Sequence, residues 1–205
     1  MRRPAAAAWT ALAGLGLTVA ASLWSLDGAV SGPERAVFRL INELPGWLER
    51  PMWAMQLLGV LVTPIVVAVA ALLWRKWRLA VALVLLAPLK LVAEREVLKK
   101  LVERGRPGQN EPGAILRDVP PAGLSFPSGH AIIAVGIATL LWPYLGRTGR
   151  VVVVVLAVAV GVARIYLGAH NPLDVVAGAG LGLLLGGLLT LLVGVPNRDR
   201  PVRTD

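Results

Sequence analysis

Three short clusters of cations and histidines carry most of the reactive side chains in this sequence. The clusters read Lys99-x6-Arg106-Pro107, Pro127-Ser128-Gly129-His130 and Arg164-x5-His170-x3-Asp174. Each cluster lies at the end of a long apolar run, and both histidines of the chain fall within them. Ionisable side chains are costly near the hydrocarbon core of a bilayer. We therefore interpret the clusters as parts of a functional site.

The cations of these clusters suit a phosphate group. Lys99, Arg106 and Arg164 supply three positive charges. Arginine forms bidentate hydrogen bonds to phosphate oxygens, and lysine acts as a point charge. Such cations also neutralise the charge that builds on the equatorial oxygens during phosphoryl transfer. The sequence has no carboxylate cluster suited to magnesium, which prefers oxygen ligands, so we expect no metal and no other cofactor.

The turn Pro127–His130 adds backbone hydrogen-bond donors. Proline suits the first turn of a helix, so we expect a helix whose first N–H groups, around Ser128 and Gly129, point at an anion. Gly129 has no side chain and lets a phosphate approach closely, and the Ser128 hydroxyl adds a donor. The Gly- and Pro-rich segment 108–124 leads into this turn and would form a lid or rim.

The third cluster predicts a histidine oriented by a carboxylate. Asn171 is a good N-cap and Pro172 a good first helical residue, which places Asp174 in a first helical turn. Its carboxylate can reach back to the ring of His170, fix the tautomer and leave the other ring nitrogen free as a nucleophile. His130 is then expected to protonate the leaving oxygen and later to activate water.

The pattern K-x6-RP, PSGH and R-x5-H-x3-D resembles that of the type 2 phosphatidic acid phosphatase superfamily. Its members include bacterial membrane lipid phosphatases, soluble non-specific acid phosphatases, glucose-6-phosphatase and vanadium haloperoxidases. The resemblance covers roughly Lys99 to Asp174, and the membrane branch fits best. It implies metal-independent dephosphorylation through a phosphohistidine intermediate.

The resemblance also assigns roles to individual residues. It implies phosphate binding by Lys99, Arg106, Ser128, Gly129 and Arg164, with His170 as nucleophile, His130 as acid and base, and Asp174 as orienting partner. In one departure from the family pattern, the residue before the arginine of the third motif is Ala163, where a serine is common. This change removes one polar contact and leaves every charged role filled.

The composition places the clusters in a membrane protein. Of the 205 residues, 56% are hydrophobic and 16% are charged, and the mean hydropathy is +0.69. A soluble domain carries about a quarter charged residues. The net charge of +9 lies mainly in the segments between apolar runs, which favours membrane topology and anion binding over nucleic acid. The absence of cysteine excludes disulfides and thiol chemistry.

Six apolar runs are candidates to cross a bilayer, which takes roughly 20 apolar residues. The expected spans are 5–26, 52–74, 79–101, 126–145, 151–167 and 172–195. The sequence thus predicts an all-α fold, a polytopic bundle of six transmembrane helices forming a single membrane-embedded domain over residues 1–205. The first run is longer than the apolar region of a signal peptide, about 7–15 residues, so we expect it to be retained.

The third run is the least apolar of the six. Its second half carries Lys90, Glu94, Arg95, Glu96, Lys99 and Lys100. We interpret it as a helix with one polar face, and a shorter helix that leaves the membrane near Val92 is the alternative. Spacing favours a structural i,i+4 ion pair between Lys90 and Glu94, and lining of a headgroup cleft is the second interpretation. Close helix packing is expected of four glycines in the sixth run: Gly180, Gly182, Gly186 and Gly187.

The distribution of cations predicts the orientation. An even number of spans puts both termini on one side, and an excess of Lys and Arg marks that side as cytoplasmic. These cations are Arg2, Arg3, Arg75, Lys76, Arg78, Arg147, Arg150, Arg198, Arg200 and Arg203. The three clusters then all lie on the extracytoplasmic face, a convergence that played no part in finding them.

The segment Pro33–Arg50 connects the first two spans on the same face. Its apolar residues are Val37, Phe38, Leu40, Ile41 and Leu44. They can form one face of a helix that lies on the membrane surface. An ordinary structured loop is the alternative.

The leading hypothesis is a multi-pass phosphatase of a bacterial plasma membrane that hydrolyses a lipid phosphate or diphosphate. Candidate substrates are a polyprenyl diphosphate, phosphatidic acid, phosphatidylglycerol phosphate and a prenyl-linked sugar phosphate. The breadth of the family slightly favours the prenyl compounds. A phosphotransferase that passes the phosphoryl group from His170 to another lipid would use the same residues. A non-enzymatic lipid-binding or transport protein is the third alternative, although binding alone requires neither His170 nor Asp174.

Overall fold

A computed structural model describes residues 5–195, and this part of the chain is helical. Its α-helices are α1 (Ala5–Trp24), α2 (Gly32–Asn42), α3 (Glu49–Gln56), α4 (Thr63–Leu73), α5 (Trp77–Leu91), α6 (Lys99–Leu101), α7 (Pro107–Asn110), α8 (Gly129–Leu141), α9 (Arg147–Tyr166) and α10 (Pro172–Val193). A π-helix, Val92–Leu98, joins α5 to α6, and 3₁₀ turns occur at Gly46–Leu48, Leu57–Gly59 and Trp142–Tyr144. Residues 5–195 contain no strand, only an isolated bridge between Gly105 and Leu124. The predicted all-α class is confirmed.

Three helices of the described chain, α1, α9 and α10, are long and apolar enough to cross a membrane by themselves. A fourth crossing is counted if the bent pair Gly46–Gly59 and α4, which meet at 64°, forms one span. The predicted spans 5–26, 151–167 and 172–195 therefore correspond to single long helices. Length and composition do not establish the predicted count of six, and residues 1–4 and 196–205, with their arginines, lie outside the described part.

The second and fourth apolar runs are interrupted at prolines. Pro64 lies in the first turn of α4, just after the break that follows Gly59. Pro143 lies in the 3₁₀ turn that ends α8. Proline lacks the N–H that would continue an α-helix and its ring clashes with the preceding turn. The second and fourth runs are for this reason shorter or more bent than an uninterrupted apolar stretch suggests.

Helix α10 lies at the centre of the bundle and packs against α1 and α8. A Cβ atom on Gly180 would lie 2.8 Å from the Thr18 nitrogen of α1, and one on Gly182 would lie 2.7 Å from the Ile132 oxygen of α8. Gly186 and Gly187 meet α8 and α1 at similar distances. The predicted packing role of these glycines is confirmed, because any side chain there would force the helices apart.

Helix α2 makes the first part of the connecting segment helical, and the face that it turns to the protein is mainly polar. Glu34, Phe38 and Asn42 face the protein at i, i+4 spacing, whereas Val37 and Leu40 are exposed. The Asn42 side chain donates to the backbone carbonyl oxygens of Ile115 and Tyr166, both at 2.9 Å. The polar face of α2 thus anchors the segment after α7 and the end of α9, and its apolar face points away from the protein.

Candidate active site

Helix α8 begins two residues after Pro127, the residue that was expected to open it. Ser128 is the N-cap and Gly129 the first helical residue, so Pro127 precedes the helix rather than forming its first turn. The backbone N–H of Ser128 donates to the backbone carbonyl oxygen of Asp174 at 2.8 Å, which joins the second cluster to the third. The Ser128 hydroxyl is buried and has no hydrogen-bond partner among residues 5–195. A hydroxyl in that position is available to donate to an anion.

An ion-pair cluster lies against Gly129. The predicted Lys90–Glu94 pair is present, and Lys99 Nζ lies 2.8 Å from the other Glu94 oxygen. A Cβ on Gly129 would lie 2.7 Å from Lys90 Nζ and 2.9 Å from the nearer Glu94 oxygen. The glycine is therefore required for close approach, and Glu94 occupies the space beside the first turn of α8.

The π-helix explains how Glu94 reaches both lysines. On an α-helix only residues three or four apart are neighbours, which suits Lys90 and Glu94 but not Glu94 and Lys99. In a π-helix the backbone hydrogen bonds join residues five apart, and the backbone N–H of Lys99 accordingly donates to the backbone carbonyl oxygen of Glu94. Lys90, Glu94 and Lys99 lie together on the protein side of this segment, whereas Arg95, Glu96 and Lys100 are exposed. The charges of the third run therefore do not form the single polar face that was predicted.

The two arginines of the site already have protein partners. Arg164, near the end of α9, donates through Nη1 to the side-chain oxygen of Gln56 at the end of α3. Arg106 donates through Nη1 to the Ala169 oxygen at 3.2 Å. Arg164 Nε is buried without a hydrogen-bond partner in the described chain. A guanidinium with a free N–H can take a phosphate oxygen as a further acceptor.

His130 lies in the first turn of α8, where the break in the second apolar run makes room for it. A Cβ on Gly59 would lie 2.8 Å from the Cβ of His130. His130 interacts electrostatically with Arg164, His170 and Arg106, so these four side chains share one small region.

His170 lies beside Asp174, as predicted, but the contact is longer than a hydrogen bond. His170 Nδ1 is 3.6 Å from Asp174 Oδ2 and has no hydrogen-bond partner among the residues described. Burial lowers the pKa of His170 to about 4; Asp174 opposes this shift, and Arg164 and Arg106 add to it. The imidazole is therefore neutral near pH 7, the form in which a ring nitrogen can act as a nucleophile.

The start of α10 holds Asp174 as the sequence predicts. Asn171 is the N-cap and Pro172 opens the helix. Asp174 Oδ2 accepts from the Asn171 nitrogen at 2.8 Å. Asp174 Oδ1 accepts from Arg104 Nη1 at 3.2 Å, a contact that the sequence analysis missed.

All eight predicted site residues therefore gather at one end of the bundle. They are Lys99, Arg106, Ser128, Gly129, His130, Arg164, His170 and Asp174. Three further polar side chains join them without having been predicted: Gln56, Arg104 and Glu34. The signal for Arg104 was its position inside the first cluster, between Lys99 and Arg106; nothing local in the sequence distinguishes Gln56 or Glu34. Within residues 5–195, no three His, Cys, Asp or Glu side chains group as metal ligands would.

Comparison with known proteins agrees with this arrangement. A sequence profile described as the PAP2 superfamily matches residues 75–198 of the chain, a stretch that includes all three clusters. The chain belongs to the PAP2 superfamily. The family resemblance seen in the three motifs is confirmed.

The proteins similar to this chain include phosphatases of bacterial lipids. The crystal structure of the transmembrane PAP2-type phosphatidylglycerolphosphate phosphatase from Bacillus subtilis superposes with a TM-score of 0.74 and 25% identity, covering 92% of this chain and 99% of that one. Phosphatidylglycerophosphatase B of Bacillus subtilis is 32% identical over 68% of this chain and 72% of its own length. Decaprenylphosphoryl-5-phosphoribose phosphatase of Mycobacterium tuberculosis is 37% identical, but the match spans only 51% of this chain and 56% of that protein.

Proposed function

We propose that this protein is an integral membrane phosphatase that hydrolyses a lipid phosphate or lipid diphosphate through a phosphohistidine intermediate. The observation that carries the proposal is the meeting of His170, His130 and three cations around the first turn of α8. A site made of cations, backbone donors and imidazoles matches the needs of phosphoryl transfer, in which positioning and charge stabilisation dominate.

In the first proposed step, His170 attacks the phosphorus atom. Nδ1 faces Asp174, which leaves Nε2 to form the N–P bond while the bond from phosphorus to the lipid oxygen breaks. His130 gives its proton to that oxygen. Arg106, Arg164 and Lys99 bind the non-bridging oxygens, whose charge grows in the transition state.

In the second step, water attacks the phosphohistidine. His130, now neutral, takes a proton from the water, and the N–P bond breaks to release inorganic phosphate. The same group acts as acid and then as base, as microscopic reversibility requires. A metal ion has no part in either step.

The substrate class follows from the surroundings of the site. Apolar helices flank it, and a lipid can keep its chains in the bilayer while its phosphate reaches the cations. Two relatives are named for a phosphatidylglycerol phosphate and for a decaprenyl-linked ribose phosphate, and both of these compounds carry a phosphate on a lipid. We propose the prenyl-linked phosphates first and the glycerophospholipid phosphates second.

The direct test is phosphate release by the purified protein across a panel of lipid phosphates in EDTA. The panel contains a polyprenyl diphosphate, a prenyl sugar phosphate, phosphatidic acid and phosphatidylglycerol phosphate, and the His170→Ala variant is the negative control. Turnover of at least one lipid in EDTA is expected. Turnover that disappears in EDTA and returns with magnesium would contradict the metal-independent mechanism. Transfer of phosphate to an added acceptor lipid in preference to water would favour the phosphotransferase.

We further propose that six spans place the site on the extracytoplasmic face and both termini in the cytoplasm. Five cations lie at the ends of helices away from the site, as positive-inside topology requires. Arg75 and Lys76 lie between α4 and α5, Arg78 lies in the first turn of α5, and Arg147 and Arg150 lie in the first turn of α9. Single cysteines at two exposed positions test this, Ala122 near the site and Thr148 in the first turn of α9. An impermeant thiol reagent should label Ala122→Cys alone in intact cells. Labelling of Thr148→Cys alone would reverse the topology.

A further inference from the structure

Arg104 is a fully buried cation that the proposed reaction does not use. Its side chain has no exposed surface, and four acceptor oxygens surround the guanidinium. Nη2 donates to Glu34 Oε2 at 2.5 Å and to the Ala29 oxygen at 2.9 Å, and Nη1 donates to Glu34 Oε1 at 2.9 Å. Nη1 also donates to Asp174 Oδ1 at 3.2 Å. A buried charge is tolerated only with such partners.

These contacts divide the two oxygens of Asp174 between different donors. Arg104 takes Oδ1, and the Asn171 nitrogen takes Oδ2 at 2.8 Å. With both oxygens held, the carboxylate cannot rotate, and Oδ2 is the oxygen that faces His170 Nδ1 at 3.6 Å. Arg104 thus determines which carboxylate oxygen the imidazole meets.

Glu34 supports the same geometry from a different helix. Its Oε1 accepts from Arg104 and also from the Leu173 nitrogen at 2.9 Å, in the first turn of α10. Free N–H groups at a helix start are favourable sites for a carboxylate. Glu34 therefore holds both the guanidinium and the helix turn from which Asp174 projects.

One cation lies between two anions in this group. The Arg104 guanidinium is hydrogen-bonded to the buried carboxylates of Glu34 and Asp174 and offsets the repulsion between them. Burial alone would lower the pKa of Arg104, but hydrogen bonding and charge from Glu34 and Asp174 outweigh it and raise that pKa. Arg104 therefore stays charged and holds the Asp174 carboxylate beside His170.

We propose that Arg104 and Glu34 are positioning residues that hold the Asp174 carboxylate against the His170 imidazole. This inference rests on the proposed function, since it assigns a role through the His170–Asp174 pair. The first cluster then has two roles. Arg106 binds phosphate, and Arg104 orients the nucleophile His170 through its hydrogen bond to Asp174.

The test compares Arg104→Lys and Glu34→Gln with a matched control, Arg35→Lys. Lysine keeps the charge of Arg104 but loses the fork that bridges two carboxylates. Arg35 neighbours Glu34 on α2 and pairs with the nearly fully buried Glu111, 3.0 Å away, with no contact to Asp174. The control therefore weakens the anchoring of α2 without touching the nucleophile.

We expect the rate of phosphoenzyme formation, measured by rapid quench, to fall about 10²-fold in Arg104→Lys and Glu34→Gln, because a small misplacement of a reacting group has that effect. KM should change little, because the phosphate ligands are intact. The loss should be equal for a lipid phosphate and for an activated ester such as p-nitrophenyl phosphate, since the nucleophile and not the leaving group is affected. Arg35→Lys should keep the wild-type rate.

Three results would overturn the inference. The first is a folded Arg104→Lys variant with the wild-type rate of phosphoenzyme formation. The second is a matching loss of rate in Arg35→Lys, and the third is a loss confined to KM. Thermal unfolding of each detergent-solubilised variant establishes that it is folded, and if Arg104→Lys is not, Glu34→Gln decides. A wild-type protein that forms no phosphoenzyme would instead refute the proposed function, and this role with it.

Discussion

The two sides of the candidate site are built differently. On the nucleophile side, Asp174 and Arg104 are completely buried and held by several hydrogen bonds. On the phosphate side, Lys99 is partly exposed and paired with Glu94, and Arg164 is paired with Gln56. One side is therefore fixed before substrate arrives, whereas the cations of the other must exchange protein partners for phosphate oxygens. We therefore expect a change on the nucleophile side to lower the rate alone, and a change on the phosphate side to lower both the rate and the affinity for phosphate.

The largest effect should come from changing the nucleophile side. In Asp174→Asn, the side chain can no longer fix the productive tautomer of His170, and we expect kcat to fall by about 10⁴-fold, as for the comparable carboxylate of a Ser-His-Asp triad. The inhibition constant of inorganic phosphate should change little. Steady-state kinetics with phosphate as inhibitor measures both quantities. If Asp174→Asn lost phosphate affinity to the same extent as kcat, the proposed difference between the two sides would be contradicted.

A change to a cation should affect both rate and affinity. Arg164→Lys removes the planar fork but keeps the charge, and we expect a loss of about 10²–10³-fold in kcat together with weaker inhibition by phosphate. Arg150→Lys, at the other end of α9, is the matched control and should be neutral. Phosphate inhibition that is unchanged in Arg164→Lys would exclude Arg164 as a phosphate ligand.

The smallest effect is expected from a comparison of two Lys–Glu pairs that have the same i,i+4 spacing. Glu94 pairs with Lys90 beside Gly129, whereas Glu96 pairs with Lys100 at 2.6 Å on an exposed surface. Glu94→Gln removes an anion from the phosphate side, so vanadate and phosphate should bind roughly tenfold more tightly, while the ligand-free protein loses thermal stability. Glu96→Gln should change neither, because exposed pairs contribute little. Weaker anion binding in Glu94→Gln would mean that Glu94 positions Lys99 for phosphate rather than competing with it.

The sequence predicted the site residues better than their supports. Spacing within each cluster identified Lys99, His130 and His170, because motif residues lie close along the chain. Gln56 and Glu34 reach the site from distant segments, 108 and 70 residues away from Arg164 and Arg104, and no local pattern marks such contacts.

Two features of the helices were missed, for separate physical reasons. The π-helix was missed because an α-helical period places Glu94 and Lys99 on different sides. The breaks in the second and fourth runs occur at Pro64 and Pro143, which average hydropathy does not register.

The central claim is that His170 forms the phosphoenzyme, and rapid-quench trapping tests it most directly. Wild-type protein mixed with a labelled lipid phosphate or activated ester should give an acid-labile, base-stable phosphoryl adduct that mass spectrometry assigns to His170. His170→Ala should give none. His130→Ala should accumulate the adduct from an activated ester, because it lacks the base for the second step, while losing about 10²–10⁴-fold on a lipid monoester that needs the acid. An adduct in His170→Ala, or turnover by wild-type protein without any adduct, would contradict the account.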